Sequence, residues 1–221
     1  MLCQSKRMNI PILYINLDYR TDRKEEMEKI LNGLNYERVS AVKKDDGYIG
    51  CSLSHIKCIE IAKSRNYEKV IILEDDFMFK ENHNFNNIEF PKEYDVLLLS
   101  NLIKRYVSIN DRFISNSKDK SLNSKKEIKE KKPRVGNFVR VFYCEWTSGH
   151  ILNELIYDDL IQNLHDGMWD RLKNGKSKSN NLDIYWTKLM KNYKFISHKN
   201  CIGTQREGYS DIKGKNMSRI N

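Results

Sequence analysis

Three acidic residues, Glu74, Asp75 and Asp76, follow directly after the apolar run VIIL at residues 70–73. Along an extended chain alternate side chains share a face, so Glu74 and Asp76 are expected to point together and Asp75 to point away. Two neighbouring carboxylates offer the hard oxygen ligands that Mg²⁺ and Mn²⁺ prefer. The alternative is a solvated acidic turn that caps the next element, but the position after a buried strand favours a metal site.

A second group of polar residues lies in INLDYRTDR at residues 15–23. Asn16 and Asp18 are suited to hydrogen bonds with a base or a ribose, and Arg20 and Arg23 to ion pairs with phosphate. From the residue types alone, ordinary helix capping with two surface arginines is the better explanation of this segment.

A third group lies in GYIGCSLSH at residues 47–55. Gly50 would permit a tight turn into a helix whose free N–H groups receive phosphate or sugar oxygens. Ser54 and His55 are adjacent, about 100° apart on a helix, and are therefore poorly placed as a nucleophile and its base. A structural histidine whose hydrogen bonds are satisfied on a helix face is as good an explanation of His55 as a site residue.

The elements that position these side chains alternate between short apolar strands and helices. The runs are rich in β-branched and aromatic residues, and strands are predicted at residues 10–17, 70–73, 94–100 and 138–146, with an edge strand at 195–196. Helices are predicted to start at Thr21, which can cap the first one, and to cover residues 52–64, 151–164 and 182–193. This alternation indicates an α/β fold with a mostly parallel sheet, in which ligands bind at the carboxyl ends of the strands.

The apolar pattern breaks down over residues 104–134. This stretch is polar and Lys-rich and has no apolar periodicity, which predicts a mobile surface loop.

Taken together, the segments resemble the glycosyltransferase family 25 proteins, which include lipooligosaccharide galactosyltransferases and collagen galactosyltransferase domains. The combination of GxxGCxxSH with LEDD is the specific part of the resemblance. The matching segments, which span nearly the whole chain in the family's order, are INLDYRTDR (15–23), AVKKDDGYIGCSLSHIKC (41–58), VIILEDDF (70–77), LDIYW (182–186) and TQREGYSDI (204–212).

The resemblance implies a single GT-A-like domain over residues 1–221, in which residues 1–103 bind the nucleotide-sugar and the metal and residues 135–221 face the acceptor. It implies transfer of a hexose, galactose or glucose, from a UDP-sugar to a hydroxyl group on a glycan, a lipid-linked acceptor or a protein. The metal would be Mn²⁺ or Mg²⁺, with Asp76 as the ligand and Glu74 as a helper or ribose contact. The other residues carried over are Asn16, Asp18, Arg20 and Arg23 for the nucleotide, Gly50, Ser54 and His55 for the donor wall, and Gln205, Ser210 and Asp211 in a late motif without an assigned role.

The family is generally regarded as inverting, which calls for a carboxylate base that deprotonates the acceptor hydroxyl. Asp183 in the matched LDIYW segment is the candidate, with Asp75 and Glu145 as rivals. A helix N-terminal carboxylate explains Asp183 equally well. The Lys-rich stretch at residues 104–134 has no counterpart in the family, and WTSGH, which ends at His150, matches it only loosely, so the acceptor is not predicted.

The formal net charge of +9 and the Lys-rich stretch raise the alternative of a nucleic-acid-binding protein on the same scaffold. A catalytically inactive relative that binds a nucleotide is a further alternative. Residues 1–117 hold 18 basic and 18 acidic side chains, so the excess comes from residues 118–140 and 171–221. The excess is therefore local, to a loop and to the segment that carries the late motif. No nucleic-acid partner is expected, although contact with an anionic surface is compatible with these two segments.

Composition and cysteine usage favour a soluble, cytoplasmic protein. The 39% hydrophobic and 31% charged content excludes a membrane-embedded or wholly disordered chain. Five scattered cysteines without a CxxC pair favour reduced thiols. Neither a signal peptide nor an apolar run of about 18 residues is apparent in the sequence.

Overall fold

A computed structural model describes residues 10–81, 83–85, 88, 90–91, 93–108, 112–115 and 137–218. The strands are β1 (Ile12–Asn16), β2 (Tyr36–Ser40), β3 (Lys69–Glu74), β4 (Phe77–Phe79), β5 (Val96–Ser108), β6 (Arg112–Ser115), β7 (Phe138–Asn153), β8 (Phe195–His198), β9 (Gly203–Gln205), β10 (Gly208–Ser210) and β11 (Lys215–Met217). The α-helices are α1 (Thr21–Leu31), α2 (Gly47–Ser64), α3 (Tyr157–Asn174) and α4 (Leu182–Tyr185), and 3₁₀ turns cover Glu154–Ile156, Lys178–Asn180 and Trp186–Lys191.

A seven-stranded sheet with the order β2-β1-β3-β7-β8-β5-β6 forms the centre of the molecule. The expected α/β class is confirmed, but the sheet is mixed rather than mostly parallel. Strand β1 runs parallel to β2 and β3, whereas β7 runs antiparallel to β3 and β5. Helices α1 and α2 provide the crossovers that parallel strands need, while only three residues separate β5 from β6, too few for a crossover.

Both faces of the sheet are covered, which explains why the buried positions of β1 and β3 are apolar except for Asn16 at the end of β1. Leu13 and Ile72 belong to a core cluster that includes residues of α2 and α3. Tyr14 and Ile71, on the opposite face, belong to a second cluster with Met27 of α1. The sequence of a strand enclosed in this way is a nearly continuous apolar run, because its side chains alternate between two buried faces of the sheet. The carboxyl ends of β1 and β3 are thereby held side by side.

The helix starts differ from the sequence predictions. Thr21 is the first residue of α1 rather than its cap, since Arg20 occupies the cap position without a side-chain cap bond. Helix α2 begins at Gly47 rather than Ser52, because the Asp46 side chain accepts the Tyr48 N–H and caps the helix there.

The second half of the chain contains more strand than its sequence indicates. Strand β7 continues to Asn153, so the helix predicted from residue 151 begins only at Tyr157. The reason is tertiary, because Ile151 is completely buried and pairs with Ile71 of β3 and Leu97 of β5. The predicted edge strand at residues 195–196 forms as β8, but inside the sheet order.

The predicted loop at residues 104–134 is wrong at its start. Residues 104–108 belong to the end of β5, and residues 112–115 form β6, which pairs with it. The remaining residues of the predicted loop, 109–111 and 116–134, lie outside the described residues. Within the described ranges, no helix is both long enough and apolar enough to cross a membrane.

Candidate functional site

The acidic residues at the end of β3 separate as the strand alternation predicts. Glu74 is the last residue of the strand, and Asp75 and Asp76 form the turn into β4. Glu74 and Asp76 line the same cleft. Asp75 turns away and accepts hydrogen bonds from Asn16 Nδ2 at 2.8 Å and from Arg23 Nη1 at 2.7 Å.

Asp76 carries the clearest sign of a ligand site. Its Oδ1 atom is buried and has no hydrogen-bond partner in the part of the chain that the structure describes. Burial, with the charges of Glu74 and Asp75, raises the pKa of this carboxyl well above its ordinary value. A buried carboxylate without a partner is costly, and a bound cation would supply the missing interaction. The oxygen atoms of Asp76 and Glu74 therefore fit the divalent cation that the resemblance implies.

Glu74 contacts helix α2 through two side chains. Its Oε1 atom lies 3.1 Å from Nε2 of His55 and 3.7 Å from Sγ of Cys51. Cys51 and His55 are separated by four residues on α2, so they share the helix face that lies against β3. His55 is among the residues predicted for the donor wall and Cys51 is not, although their spacing of four residues on a helix indicates that they share a face.

A cleft of about 530 Å³ opens at the carboxyl end of β3. Its acidic lining residues are Glu74, Asp76 and Asp183, with Asp183 approaching from the start of α4. Six basic residues surround them, namely Arg23, Arg171, Lys176, Lys178, Arg206 and Lys213. Several acidic groups among more numerous cations suit an anionic ligand that binds together with a metal ion.

A smaller cleft of about 140 Å³ adjoins the first. It lies between the end of β1, the β2–α2 connection and the first turns of α2, and Cys51, Glu74 and Ile212 line both clefts. This cleft is lined by four of the residues predicted for the nucleotide or the donor wall, namely Asn16, Gly50, Ser54 and His55. Asp211 of the late motif also lines it.

Gly50 has a different role from the one predicted. It lies inside α2, and its N–H already donates to the Asp46 carbonyl, so it is not free for a phosphate. A Cβ atom at this position would lie 2.5 Å from the carbonyl oxygen of Val42. Ser54 joins the same contact, because its hydroxyl donates to the Gly50 carbonyl and accepts the Val42 N–H. The glycine thus permits close packing rather than a tight turn.

Two residues predicted for the nucleotide do not line either cleft. Asp18 is exposed and accepts hydrogen bonds from Arg38 and Ser40, and these bonds lower its pKa. Arg20 forms ion pairs with Asp22 and Asp211. Asn16 does line the smaller cleft, but its Nδ2 atom is bound to Asp75 and its Oδ1 atom to Arg38.

The late motif lies across the end of β1. Arg23 Nη2 donates to the Tyr209 carbonyl at 2.7 Å, and Arg20 Nη1 lies 2.6 Å from an Asp211 oxygen. These contacts hold the segment at residues 204–212 over the clefts. Gln205 and Ser210 line the larger cleft, and Asp211 lines the smaller one. The segment at residues 204–212 therefore forms part of the wall of both clefts.

Of the three carboxylates considered as a base, Asp183 alone lines the larger cleft. It accepts the Trp146 N–H and has a pKa raised chiefly by burial and also by Glu74. Asp75 is paired with Arg23 and lines only the smaller cleft. Glu145 lines neither cleft and accepts hydrogen bonds from Lys178 at 2.9 Å and from Tyr143 at 3.2 Å.

Comparison with known proteins bears on this site. The model of glycosyltransferase family 25 (LPS biosynthesis protein) matches residues 45–168, more than half of the chain. That range includes α2, β3 and the acidic turn. No curated protein sequence matches the chain.

Solved structures resemble the fold only distantly. The A197 protein from STIV is 12% identical, with 96% of this chain and 95% of that chain covered and a TM-score of 0.47. A glycosyltransferase involved in glycosylation of the major capsid of PBCV-1 is 10% identical, with 86% and 81% covered and a TM-score of 0.47. Mannose-1-phosphate geranyltransferase from Thermus thermophilus is 9% identical, with 86% and 73% covered and a TM-score of 0.44.

Proposed function

The chain belongs to glycosyltransferase family 25, and we propose that it transfers a hexose, galactose or glucose, from a UDP-sugar to a hydroxyl group with the help of Mn²⁺ or Mg²⁺. The observation that carries the proposal is Asp76, which lines a cleft rich in basic side chains and whose Oδ1 atom is buried without a hydrogen-bond partner within the described residues. A sugar diphosphate brings the negative charge that such a lining suits.

The two adjoining clefts divide the donor between them in this proposal. The smaller cleft, which reaches Asn16 at the end of β1, takes the nucleoside. The diphosphate then lies near Glu74, which borders both clefts, and the hexose occupies the larger cleft beside Asp183. Ligand binding at the carboxyl ends of β1 and β3 follows the general pattern for parallel strands.

Asp76 would hold the cation with support from Glu74, and a cation at this position would supply positive charge against the negative charge that builds up on the departing diphosphate. Arg23, fixed by Asp75 and by the Tyr209 carbonyl, places a positive charge on the wall of the larger cleft. The segment that contains Gln205 and Ser210 limits the access of water from the C-terminal side.

Asp183 acts as the general base in this scheme. The acceptor hydroxyl gives its proton to the Asp183 carboxylate as its oxygen attacks the sugar carbon, with inversion at that carbon. The raised pKa of Asp183 makes it a stronger base than an exposed carboxylate. The Trp146 N–H donates to Oδ2 of this carboxylate and holds it on the wall of the larger cleft. The acceptor in this proposal is a glycan, a glycolipid or a protein.

The proposal is tested by supplying purified protein with UDP-galactose, UDP-glucose and other UDP-sugars, with Mn²⁺ or with a chelator. Release of UDP that requires both a particular sugar and the metal would support it. Asp45→Asn, which changes an exposed carboxylate in the loop before α2, is the matched control for Asp76→Asn. Equal donor turnover with and without the metal would contradict the proposed metal dependence.

A further inference from the structure

Cys51, His55 and Glu74 form a cluster that the transfer chemistry does not explain. One ligand atom from each side chain, a sulfur, a nitrogen and an oxygen, lies within 4.8 Å of the other two. The Glu74 Oε1 atom is 3.1 Å from the histidine nitrogen and 3.7 Å from the sulfur. In the scheme above, Glu74 only supports a cation at Asp76, and the other two residues have no chemical part.

The spacing of the cluster is that of a metal site. Two ligands at positions i and i+4 of a helix project from one face, and a carboxylate from another element completes a set of three. Cys51 and His55 supply the helical pair on α2, and Glu74 supplies the carboxylate from the end of β3. For tetrahedral Zn²⁺ with ligand bonds of about 2.0–2.3 Å, ligand atoms lie roughly 3.3–3.7 Å apart, which is close to the two separations from Glu74 Oε1.

The kinds of ligand discriminate between metals. Mg²⁺ and Mn²⁺ favour oxygen ligands, whereas a thiolate with an imidazole selects a softer ion such as Zn²⁺. This cluster therefore differs in chemistry from the carboxylate of Asp76. The thiol would bind as a thiolate and release its proton to the solvent.

The surroundings hold the cluster in place and leave one side open. His55 is buried and stacks on His150, with ring centres 5.3 Å apart. The close contact of Gly50 with Val42 fixes the first turns of α2. Cys51 and Glu74 line both clefts, so a metal bound here would keep a position open to a ligand, as Zn²⁺ does at sites that are not purely structural.

We propose that Cys51, His55 and Glu74 bind a thiophilic divalent cation, with Zn²⁺ the best match, at the junction of the two clefts. The site is distinct in its ligands from the oxygen-rich position at Asp76, although Glu74 borders both. It does not depend on the proposed transfer reaction, since binding of the ion can be measured without any sugar donor.

The test uses Co²⁺ as a spectroscopic probe for Zn²⁺ in the metal-free, reduced full-length protein. We expect one Co²⁺ per chain, a thiolate-to-cobalt charge-transfer band, and loss of this band when Zn²⁺ is added. Cys51→Ser should abolish the band. Cys58→Ser should keep it, because Cys58 lies on the same helix but points into the core. His55→Gln should weaken binding by more than about tenfold, the least that loss of a supporting partner usually costs.

A second measurement tests the same site without a variant, in case Cys51→Ser unfolds. In the wild-type protein, Zn²⁺ should slow alkylation of Cys51 by iodoacetamide, as read by peptide mass spectrometry, and Mg²⁺ should not. Absence of a thiolate band, a band that survives in folded Cys51→Ser, or alkylation unaffected by Zn²⁺ would overturn the proposal. Asp76→Asn should retain the band even where it loses transfer, so the two proposals can fail separately.

Discussion

The carboxylate of Asp183 accepts a hydrogen bond from the backbone N–H of Trp146, 37 residues earlier in the chain. Trp146 adopts a positive φ of 58°, a conformation that costs on the order of 1–3 kcal/mol for a residue with a side chain. At this strained position within β7 the Trp146 N–H points towards the start of α4. Its hydrogen bond fixes the Asp183 carboxylate on the wall of the larger cleft.

Replacement of the proposed base should remove transfer and spare donor binding. Asp183→Asn keeps an oxygen that can accept the Trp146 N–H but cannot take a proton, so kcat should fall by about 10²–10⁴-fold. Steady-state kinetics and calorimetric binding of UDP separate the two effects. Glu145→Gln serves as the comparison, because that rival carboxylate lines neither cleft. A larger loss of kcat in Glu145→Gln than in Asp183→Asn would reverse the assignment.

The pH dependence of transfer should follow the same carboxyl. Burial first, and also the charge of Glu74, raises the pKa of Asp183 above its ordinary value of 3.8. Only the ionised form accepts a proton, so kcat should be low below the raised pKa and should increase as pH rises through it. A pH profile of kcat measures this rise. The residual activity of Asp183→Asn should not show the rise, and an unchanged rise in that variant would assign it to another titrating group.

Arg23 should be important for folding as well as for donor binding. Its pairing with Asp75 joins two largely buried side chains, and Arg23→Ala leaves the carboxylate without its charged partner. Loss of one partner of a buried pair costs about 3–5 kcal/mol. Urea unfolding should therefore show a large decrease in the free energy of unfolding. Lys24→Ala, which breaks a more exposed contact with Glu28, should change it by less than about 1 kcal/mol.

Gly50 should tolerate no side chain, although it lies in an ordinary helix. Gly50→Ala would place a methyl group 2.5 Å from the Val42 carbonyl oxygen, and this backbone atom can move only with its loop. Overpacking of this kind costs about 1–3 kcal/mol. The melting temperature should fall, whereas Glu60→Ala on the exposed face of the same helix should leave it nearly unchanged. An equally stable Gly50→Ala protein would show that the contact relaxes freely.

The local parts of the site could be predicted from the sequence. The apolar run before Glu74 identifies β3, and the alternation along a strand separates Asp75 from its two neighbours. The α/β class follows from the same runs. These features depend on residues adjacent in the chain, for which periodicity is informative.

Contacts between distant segments could not be predicted in this way. Strand β7 continues through Ile151 because β3 and β5 lie on either side of it, which no local pattern reveals. The same applies to Asp18, which binds Arg38 and Ser40 on β2 instead of lining a cleft. The position of the late motif likewise depends on long-range contacts with Arg20 and Arg23.

The most direct test of the proposed function compares Mn²⁺-dependent sugar transfer by the wild-type protein and by Asp76→Asn. The asparagine removes the buried charge that the cation would neutralise, so the variant should remain folded while Mn²⁺ no longer raises its melting temperature. We expect transfer from UDP-galactose or UDP-glucose by the wild-type protein and the Asp45→Asn control, and loss of transfer in Asp76→Asn. Undiminished transfer by folded Asp76→Asn would contradict a metal-dependent mechanism centred on this residue.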